Sequence, residues 1–448
     1  MSAVPIAQAA QRNRGAGRRV LAGGAVLVLV VATLAVLLTV GVDYGPVALA
    51  TGLLLATVPV PLYVSIALRV DRFEPEPLRL LASSFFWGAS GATFIALILN
   101  SAGHVVVGSS LGPGAGRLYA FSISAPVVEE TAKAAVLFAI YRWRRSEFDG
   151  VLDGIVYAAM VGLGFAMTEN VLYYGRAEAA GGVPLAVTFF LRGVIEPFAH
   201  PVFTAMTGIG LGVAAQSSRP ATRVLAPAGG LLAAMLLHSL SNTSTLGGGA
   251  GYFGVFLLVM VPIFVALIVM VVVTLRREAR IIGAQLAPEV ATGVLRPGDL
   301  LVLTSLHDRQ RLRRAARRDG RRARRAARQW METATELAFL RHRLQRGLNT
   351  GSASPRADEA ALAARLRELR PAIGSAADAV AAAAAGRAGP AGTDPAVGLP
   401  ATAWQPWTPE RAPAPTPAIA PAGWYPDPWA QARWRWWDGR EWTGHAAG

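Results

Sequence analysis

The chain has 448 residues, of which 53% are hydrophobic and only 16% are charged. Residues 20–275 contain eight long apolar runs, which exclude an ordinary soluble core and require a lipid bilayer. The net charge of +15 comes from 43 basic and 28 acidic residues, and the absence of cysteine excludes disulfides and thiolate metal sites.

The first predicted elements are an N-terminal tail, residues 1–19, and a transmembrane domain, residues 20–280. Arginines precede the first apolar run, as in a signal peptide, but the run is too long for one and no small-residue cleavage pattern follows. The sequence therefore predicts an all-α, polytopic bundle of transmembrane helices. Its eight spans are expected at residues 20–42, 46–68, 80–101, 118–141, 151–174, 184–216, 224–245 and 252–275.

The distribution of arginine between the loops predicts the orientation of the spans. Fifteen arginines lie in the tail and in every second loop, whereas the intervening loops carry two. Because loops rich in arginine face the cytoplasm, both termini of this multi-pass cell-membrane protein are expected to be cytoplasmic. The arginine-rich loops are 69–79, 142–145, 219–223 and 276–280, and the two other arginines are Arg117 and Arg176.

Ionisable and amide side chains are concentrated in the fourth to seventh spans. Charged groups inside a bilayer are costly, so this concentration indicates a function. The fourth span also holds the only lysine of a chain with 42 arginines. Because ammonium and guanidinium differ in shape and hydration, this lysine is expected to fill a role that arginine does not. The residues are Glu129, Glu130 and Lys133; Glu169 and Asn170; Arg192, Glu196 and His200; and His238 and Asn242.

Helical spacing and depth predict that these side chains share one site. A rise of 1.5 Å per residue puts the motifs between the middle of the membrane and its outer leaflet. The adjacent glutamates are a candidate general base that activates water, and the histidines and asparagines are candidate metal ligands or oxyanion donors. Three pairs are four residues apart and are expected to face one way, namely Glu129 and Lys133, Glu196 and His200, and His238 and Asn242.

The order of these motifs resembles the PrsW family of membrane proteases, which is similar to the wider group of prenyl-protein endoproteases. The resemblance rests on EE-x-x-K, F-x-x-x-E-N, a helix with a central histidine and H-x-x-x-N on consecutive spans, and on the charged loop 71–77. It covers roughly residues 46–275. It implies an intramembrane endopeptidase that cleaves membrane-tethered proteins, with signalling regulators such as anti-sigma factors as candidate substrates.

The resemblance also implies roles for individual residues, and it leaves Glu196 and Arg192 without one. A glutamate would activate the water, and a divalent metal such as zinc would be held by His200 and His238. The implied catalytic residues are Glu129, Glu130, His200 and His238, and the implied supporting residues are Lys133, Glu169, Asn170 and Asn242.

Residues 281–370 are predicted to form an arginine-rich helical region with a break at Asp319-Gly320. Within it, residues 309–328 contain 11 arginines. This density predicts binding to the anionic lipids of the inner leaflet, and a nucleic-acid-binding arm is the less favoured alternative.

The last two segments differ in composition from everything before them. Residues 371–421 are rich in alanine, proline and glycine and are predicted to be a flexible linker. Residues 422–448 are dense in tryptophan, and a β-hairpin that turns at Asp438-Gly439 is expected there. This end resembles a short GWYPDP…RWWDG module found at the ends of many membrane proteins, and it is expected to be an interaction module.

Two other functions are compatible with the sequence. A proton-coupled transporter would use the buried carboxylates and histidines as a relay. Internal repeats would favour a transporter, and the sequence shows none. A non-catalytic membrane scaffold would recruit partners through the cytoplasmic half, but the intact motifs argue against it.

Overall fold

The structure is a computed structural model in which helices precede a small C-terminal sheet. The described residues divide into two compact units, Met1–Ala384 and Ala385–Gly448. The apolar helices of the first unit confirm the expected all-α, polytopic architecture. The structure describes residues 4–70, 73, 76–145, 147–347, 354–388, 423–426, 434–438 and 442–447.

Glycine and proline together mark several helix starts in the membrane half. Gly45 and Gly112 have φ angles of 89° and 93°, and a proline follows each of them as the first helical residue. Glycine adopts positive φ without strain, and proline needs no hydrogen-bond acceptor at that position. The helices are α1 (Val4–Tyr44), α2 (Pro46–Thr57), α3 (Val60–Ala67), α4 (Leu78–Phe86), α5 (Thr93–Leu111), α6 (Pro113–Tyr119), α7 (Ala125–Trp143), α8 (Val151–Ala179), α9 (Gly182–Phe189), α10 (Ala199–Ala215), α11 (Pro220–Ser244), α12 (Gly248–Val255) and α13 (Val261–Ala291).

Among the described residues, six helical stretches are long and apolar enough to cross a membrane. The expected fourth span is not one of them, because α7 carries three charged side chains in its apolar sequence. The expected seventh and eighth spans fall together in one 72-residue stretch that contains α11 to α13. The six stretches are Val26–Tyr44, Pro46–Ala67, Leu78–Leu111, Val151–Ala179, Gly182–Ala215 and Pro220–Ala291.

Five further helices follow the membrane half and form a core with the end of α13. Leu312, Trp330, Leu337 and Leu366 are buried in this core against Leu286 of α13. The expected break at Asp319-Gly320 is present, since Gly320 has a φ of 100° there. The helices are α14 (Pro297–Thr304), α15 (Leu306–Arg318), α16 (Arg321–Gln345), α17 (Pro355–Ile373) and α18 (Ser375–Ala388).

The prediction of a flexible linker over residues 371–421 is wrong for its first part. The helix α18 occupies residues 375–388, and Ala377, Ala381 and Ala384 are buried in the core. Alanine has the highest helix propensity of all residues, and no proline interrupts the chain between Pro371 and Pro390. The rest of the predicted linker, residues 389–421, lies outside the described residues.

The tryptophan-rich end forms a three-stranded antiparallel sheet, in which β1 (Gly423–Pro426), β2 (Trp434–Trp437) and β3 (Trp442–Ala447) are neighbours in that order. The expected hairpin corresponds to β2 and β3, and the structure adds β1 to it. Asp438 follows β2 as expected, whereas Gly439 lies outside the described residues.

The helices α15 and α16 hold two loops at one end of the membrane bundle. The buried Arg309 of α15 donates from Nη1 to the backbone oxygen of Phe73, 3.1 Å away, in the loop between α3 and α4. Arg343 of α16 forms an ion pair with Asp149, in the loop between α7 and α8. Both loops are among the arginine-rich loops that are expected to face the cytoplasm. The C-terminal helices therefore lie at the end of the bundle that is expected to be cytoplasmic.

We expect reporter domains fused after residues 110 and 280 to lie on opposite sides of the membrane. Residue 110 lies near the end of α5, next to a loop with little arginine. Residue 280 follows the arginine pair of α13. Alkaline phosphatase and green fluorescent protein fusions measure the two sides. A third fusion after residue 218 should match residue 280, and finding 110 and 280 on one side would refute the topology.

A glycine lets α8 and α10 approach closely at the position of His200. A Cβ atom on Gly162 would lie 2.6 Å from the nitrogen of Pro201 and 2.8 Å from the backbone carbon of His200. No side chain fits at these distances, so small residues are needed where membrane helices cross this tightly.

We expect Gly162→Ala to lower the stability of the detergent-solubilised protein by roughly 1–3 kcal/mol, because the helix backbones must separate. The matched control is Gly229→Ala in α11, where a Cβ meets nothing within 4 Å. Thermal unfolding measures both variants. Equal melting temperatures for Gly162→Ala and the control would contradict the close approach.

Candidate functional site

Lys133 lies at the centre of a buried polar cluster in the membrane half. Its side chain has no solvent exposure, and its Nζ donates to Oε1 of Glu130 at 2.8 Å. The same atom is 2.9 Å from Nδ1 of His200 and 3.5 Å from Oε2 of Glu129. It also lies 3.7 Å from the centre of the Phe165 ring. The ammonium group therefore joins α7 to α8 and α10 through three polar contacts and one aromatic ring.

The two glutamates of α7 have different surroundings. Glu130 is fully buried, and its oxygens contact Lys133, Nδ1 of His238 at 3.0 Å and the hydroxyl of Thr204 at 3.0 Å. Glu129 is held less tightly, since its Oε2 is 3.8 Å from Nε2 of His238 and its Oε1 is 3.4 Å from Nδ2 of Asn100. Glu130 is thus fixed by its partners, whereas Oε1 of Glu129 has a single, distant donor among the residues that the structure describes.

A third carboxylate, that of Glu169 in α8, contacts the ring nitrogen of His200 that does not face Lys133. Its Oε2 is 2.8 Å from Nε2 of His200 and also accepts a hydrogen bond from Arg192. The Nε of Arg192 donates to Oδ1 of Asn170 at 2.7 Å, and its guanidinium lies 3.9 Å from the centre of the Tyr173 ring. Arg192 is therefore the counter-ion of Glu169, a role that the sequence pattern left open.

The expectation that Glu196 and His200 face one way is wrong. The π-helical segment Phe190–Ile195 is followed by Glu196, whose φ of −119° and ψ of 41° are not helical. The next helix, α10, begins only at Ala199. Pro197 lies between them, and proline removes a helical hydrogen bond and restricts the residue before it. The long sixth span is broken here, and Glu196 instead lines a separate apolar cavity with Phe198 and Phe264.

Two predicted site residues, Asn170 and Asn242, form no hydrogen bond with Lys133 or the two histidines among the described residues, and three unpredicted residues extend the hydrogen-bond network of the cluster. Asn242 donates to the backbone oxygen of Phe121 at 2.9 Å, and so fastens α11 to the π-helical turn before α7. Asn170 contacts Arg192, as described above. The unpredicted residues are Asn100, Thr204 and Ser124, whose hydroxyl donates to Asn100 at 2.8 Å. Their only sequence signal is an uncharged polar group in an apolar span, which is common in membrane helices.

A cavity of about 730 Å³ lies beside the cluster. Glu129 and Glu169 form part of its wall, whereas Glu130, Lys133 and the two histidines do not. The remaining wall is mostly apolar, with polar groups from His104 and Arg117 toward the loop between α5 and α6. A molecule in this cavity would therefore meet the carboxylates of Glu129 and Glu169.

The cluster has the donor set of a divalent metal site. One ligand atom each from Glu129, His200 and His238 lies within 4.8 Å of the others, and all three residues are buried. Two histidines and a glutamate are the ligands of several zinc peptidases. Each histidine also has a second carboxylate partner, Glu169 or Glu130, as metal-binding histidines usually do. The three residues therefore form a candidate metal site, in which Glu129 joins the expected pair of histidines and Nδ1 of His200 also contacts Lys133.

Comparisons with known proteins find similarity in the region that contains the site. A family model described as PrsW family intramembrane metalloprotease matches residues 76–267, and one described as a protein of unknown function, DUF2510, matches residues 422–448. The first match contains every candidate site residue but only the end of the charged loop 71–77. No solved structure matches the chain.

Three relatives, each named Protease PrsW, are similar to the membrane half. The Oceanobacillus iheyensis protein is 30% identical over 165 residues, or 35% of this chain and 70% of the relative. The Geobacillus kaustophilus protein is 34% identical over 147 residues, or 32% and 58%. The Bacillus subtilis protein is 31% identical over 144 residues, or 32% and 60%. The chain thus spans less than two thirds of the length of the last two relatives.

Proposed function

We propose that this chain, which belongs to the PrsW family, is an intramembrane endopeptidase that cleaves membrane-tethered proteins with a water activated by Glu129. The observation that carries the proposal is the convergence of Glu129, Glu130, His200 and His238 around Lys133. Of the charged residues in this cluster, Glu129 and Glu169 line the neighbouring cavity. Peptide hydrolysis needs a general base that can contact both water and substrate. In this cluster, Glu129 meets that requirement best.

In the proposed reaction, Oε1 of Glu129 takes a proton from a water molecule in the cavity. The water oxygen forms a bond to the carbonyl carbon of the scissile peptide, and the carbon–nitrogen bond then breaks. The proton passes from Glu129 to the departing amine. Oε1 suits this task because its one donor among the described residues, Asn100, is 3.4 Å away, and because Glu129 borders a cavity that has room for a water molecule.

The other members of the cluster orient Glu129. Glu130 holds Lys133 and His238 in place, and Lys133 keeps two neighbouring carboxylates compatible with each other. With Oε1 of Glu129 left to act as the base, the other oxygen of this carboxylate would join His200 and His238 in holding a divalent metal such as zinc, whose chemistry there is to polarise the carbonyl and acidify water. Glu169 and Arg192 fix the ring of His200 from the opposite side.

The cavity suggests which substrates enter. Its wall combines apolar side chains such as Leu97 and Leu172 with His104 and Arg117 at the end expected to face outward. A single transmembrane segment that unwinds near the outer surface would match this arrangement. Signalling regulators with one span, such as anti-sigma factors, are substrates of this class.

The test is cleavage of candidate single-span substrates by the purified protein in liposomes, with products identified by mass spectrometry. We expect the wild type to cut within or next to the substrate's span, and His200→Ala/His238→Ala to lose cleavage and any bound metal measured by elemental analysis. The control is Glu196→Gln, which changes a carboxyl group outside the cluster. Equal cleavage by the double variant would refute the proposed site.

We also propose that the arginine-rich surface of α15 and α16 contacts the anionic inner leaflet. Two arginines of this region are exceptions: Arg309 is buried and bonds to backbone oxygens of Leu303 and Phe73, and Arg313 is only partly exposed. Exposed arginines attract acidic headgroups at the cytoplasmic surface. Those available for this contact are Arg311, Arg314, Arg317, Arg318, Arg321, Arg322, Arg324, Arg325 and Arg328.

A further inference from the structure

A cleft lined with arginine lies between the membrane helices and the C-terminal helices. The membrane half contributes Arg145 after α7, Arg223 in α11 and Arg277 in α13. The helix α16 contributes His342 and Arg343 from the opposite wall, together with Arg346 just after its end. The cleft is therefore built from both parts of the first unit, and basic groups stand on both of its sides.

The acidic residues of the cleft do not balance these charges. It contains three carboxylates against five arginines, which leaves an excess of two positive charges. Asp149 is paired with Arg343, and Asp153 accepts backbone hydrogen bonds from Asp149 and Gly150 at the start of α8. The third carboxylate is Glu278. Arg145, Arg223, Arg277 and Arg346 are exposed, so a ligand in the cleft can contact them.

The histidine of the cleft, His342, lies near arginines of both walls. Burial and the charges of Arg346 and Arg277 lower the pKa of His342 below its usual value. A histidine responds in this way when nearby cations disfavour its own protonation. The charge of one arginine from each wall, Arg277 and Arg346, therefore reaches His342.

The cleft lies where the apolar segments end. The run of α13 changes from Val271, Val272 and Val273 to Arg276 and Arg277 within a few residues. The end of α10 and the beginning of α8 border the same cleft through Gln216 and Gly150. Such a transition marks the level of the lipid headgroups, where basic pockets bind anionic lipids.

We propose that this cleft binds a phosphate-bearing anion, and that the phosphate is the headgroup of an anionic phospholipid of the inner leaflet. Guanidinium groups bind phosphate with two hydrogen bonds each, so a phosphate between Arg277 and Arg346 would connect the two walls. The bound headgroup would hold the C-terminal helices against the membrane half. This inference does not depend on the proposed peptidase activity.

Native mass spectrometry of the detergent-solubilised full chain tests the inference. Phosphatidylglycerol and phosphatidylcholine are titrated separately, and inorganic phosphate and glycerol phosphate are soluble competitors. We expect the wild type to retain phosphatidylglycerol over phosphatidylcholine, and Arg277→Gln and Arg346→Gln each to weaken this binding about fivefold. Arg356→Gln and Arg367→Gln, which remove exposed arginines of α17 outside the cleft, should leave the binding unchanged.

The arms of the experiment separate the possible results. Protection against thermal unfolding by glycerol phosphate without retained phosphatidylglycerol would assign the cleft to a soluble phosphate compound and overturn the lipid assignment. Equal retention of both lipids, or equal loss in the cleft and control variants, would overturn the anion site itself. The two single variants change exposed side chains, so the folded protein should remain available for measurement.

Discussion

Replacing Glu129 by glutamine is expected to abolish peptide cleavage while the protein still folds and inserts. Glutamine has nearly the same shape and can keep the contact with Asn100, but it does not accept a proton from water at neutral pH. Loss of general base catalysis alone lowers a rate by about 10² to 10⁴-fold. Single-turnover cleavage of a single-span substrate in liposomes measures this loss.

Glu196→Gln is the matched control for this experiment. It makes the same chemical change in the same half of the protein, but Glu196 faces a separate cavity. We expect its cleavage rate to stay within about twofold of the wild type, since Glu196 and Glu129 line different cavities. If Glu129→Gln cleaves at the rate of the control, Glu129 is not the base and the proposed reaction is wrong.

Lys133→Met is expected to be nearly inactive as well, for a different reason. The substitution shortens the side chain by one atom and removes the cation between Glu129, Glu130 and His200. Buried carboxylates without a counter-ion are costly and become protonated, so Glu129 would no longer accept a proton at neutral pH. We expect insertion and expression to be unchanged, because an apolar side chain is well tolerated in a membrane helix.

Lys133→Arg separates the charge from the shape of the side chain. Guanidinium keeps the positive charge but is planar and larger than ammonium, and the position is fully buried. Partial activity is expected for arginine and almost none for methionine, measured as cleavage per folded protein over a range of pH. Full activity in Lys133→Met would show that the lysine only fills space, and the proposed support of Glu129 would fail.

The sequence was most informative about residues that lie within one continuous helix. Glu129 and Lys133 are four residues apart in α7, and the structure places their charged groups in contact. The same spacing misled for Glu196 and His200, because helical periodicity holds only while the helix continues. Pro197 is the visible sign of the break, but a proline inside an apolar span often only bends it.

Other parts of the site depended on packing that a single sequence does not display. Arg192 contacts Glu169 and Asn170 because the π-helical segment packs against α8. The angle at which two helices pack depends on their tertiary contacts, and the helical periodicity of the sequence does not determine it. Thr204 reaches Glu130 from one helical turn beyond His200. In the C-terminal half, the alanine-rich composition of α18 matches both a linker and a helix, and burial against the core decides between them.

The break before α10 brings the start of a helix into the interior of the bundle. The aligned peptide dipoles of α10 place a partial positive charge at this end, beside His200 and close to three carboxylates. Broken membrane helices in transporters hold anionic groups in the same way. Here the backbone would add to the electrostatic support of Glu169 and Glu130 without a further charged side chain, and a continuous sixth helix would lack that contribution.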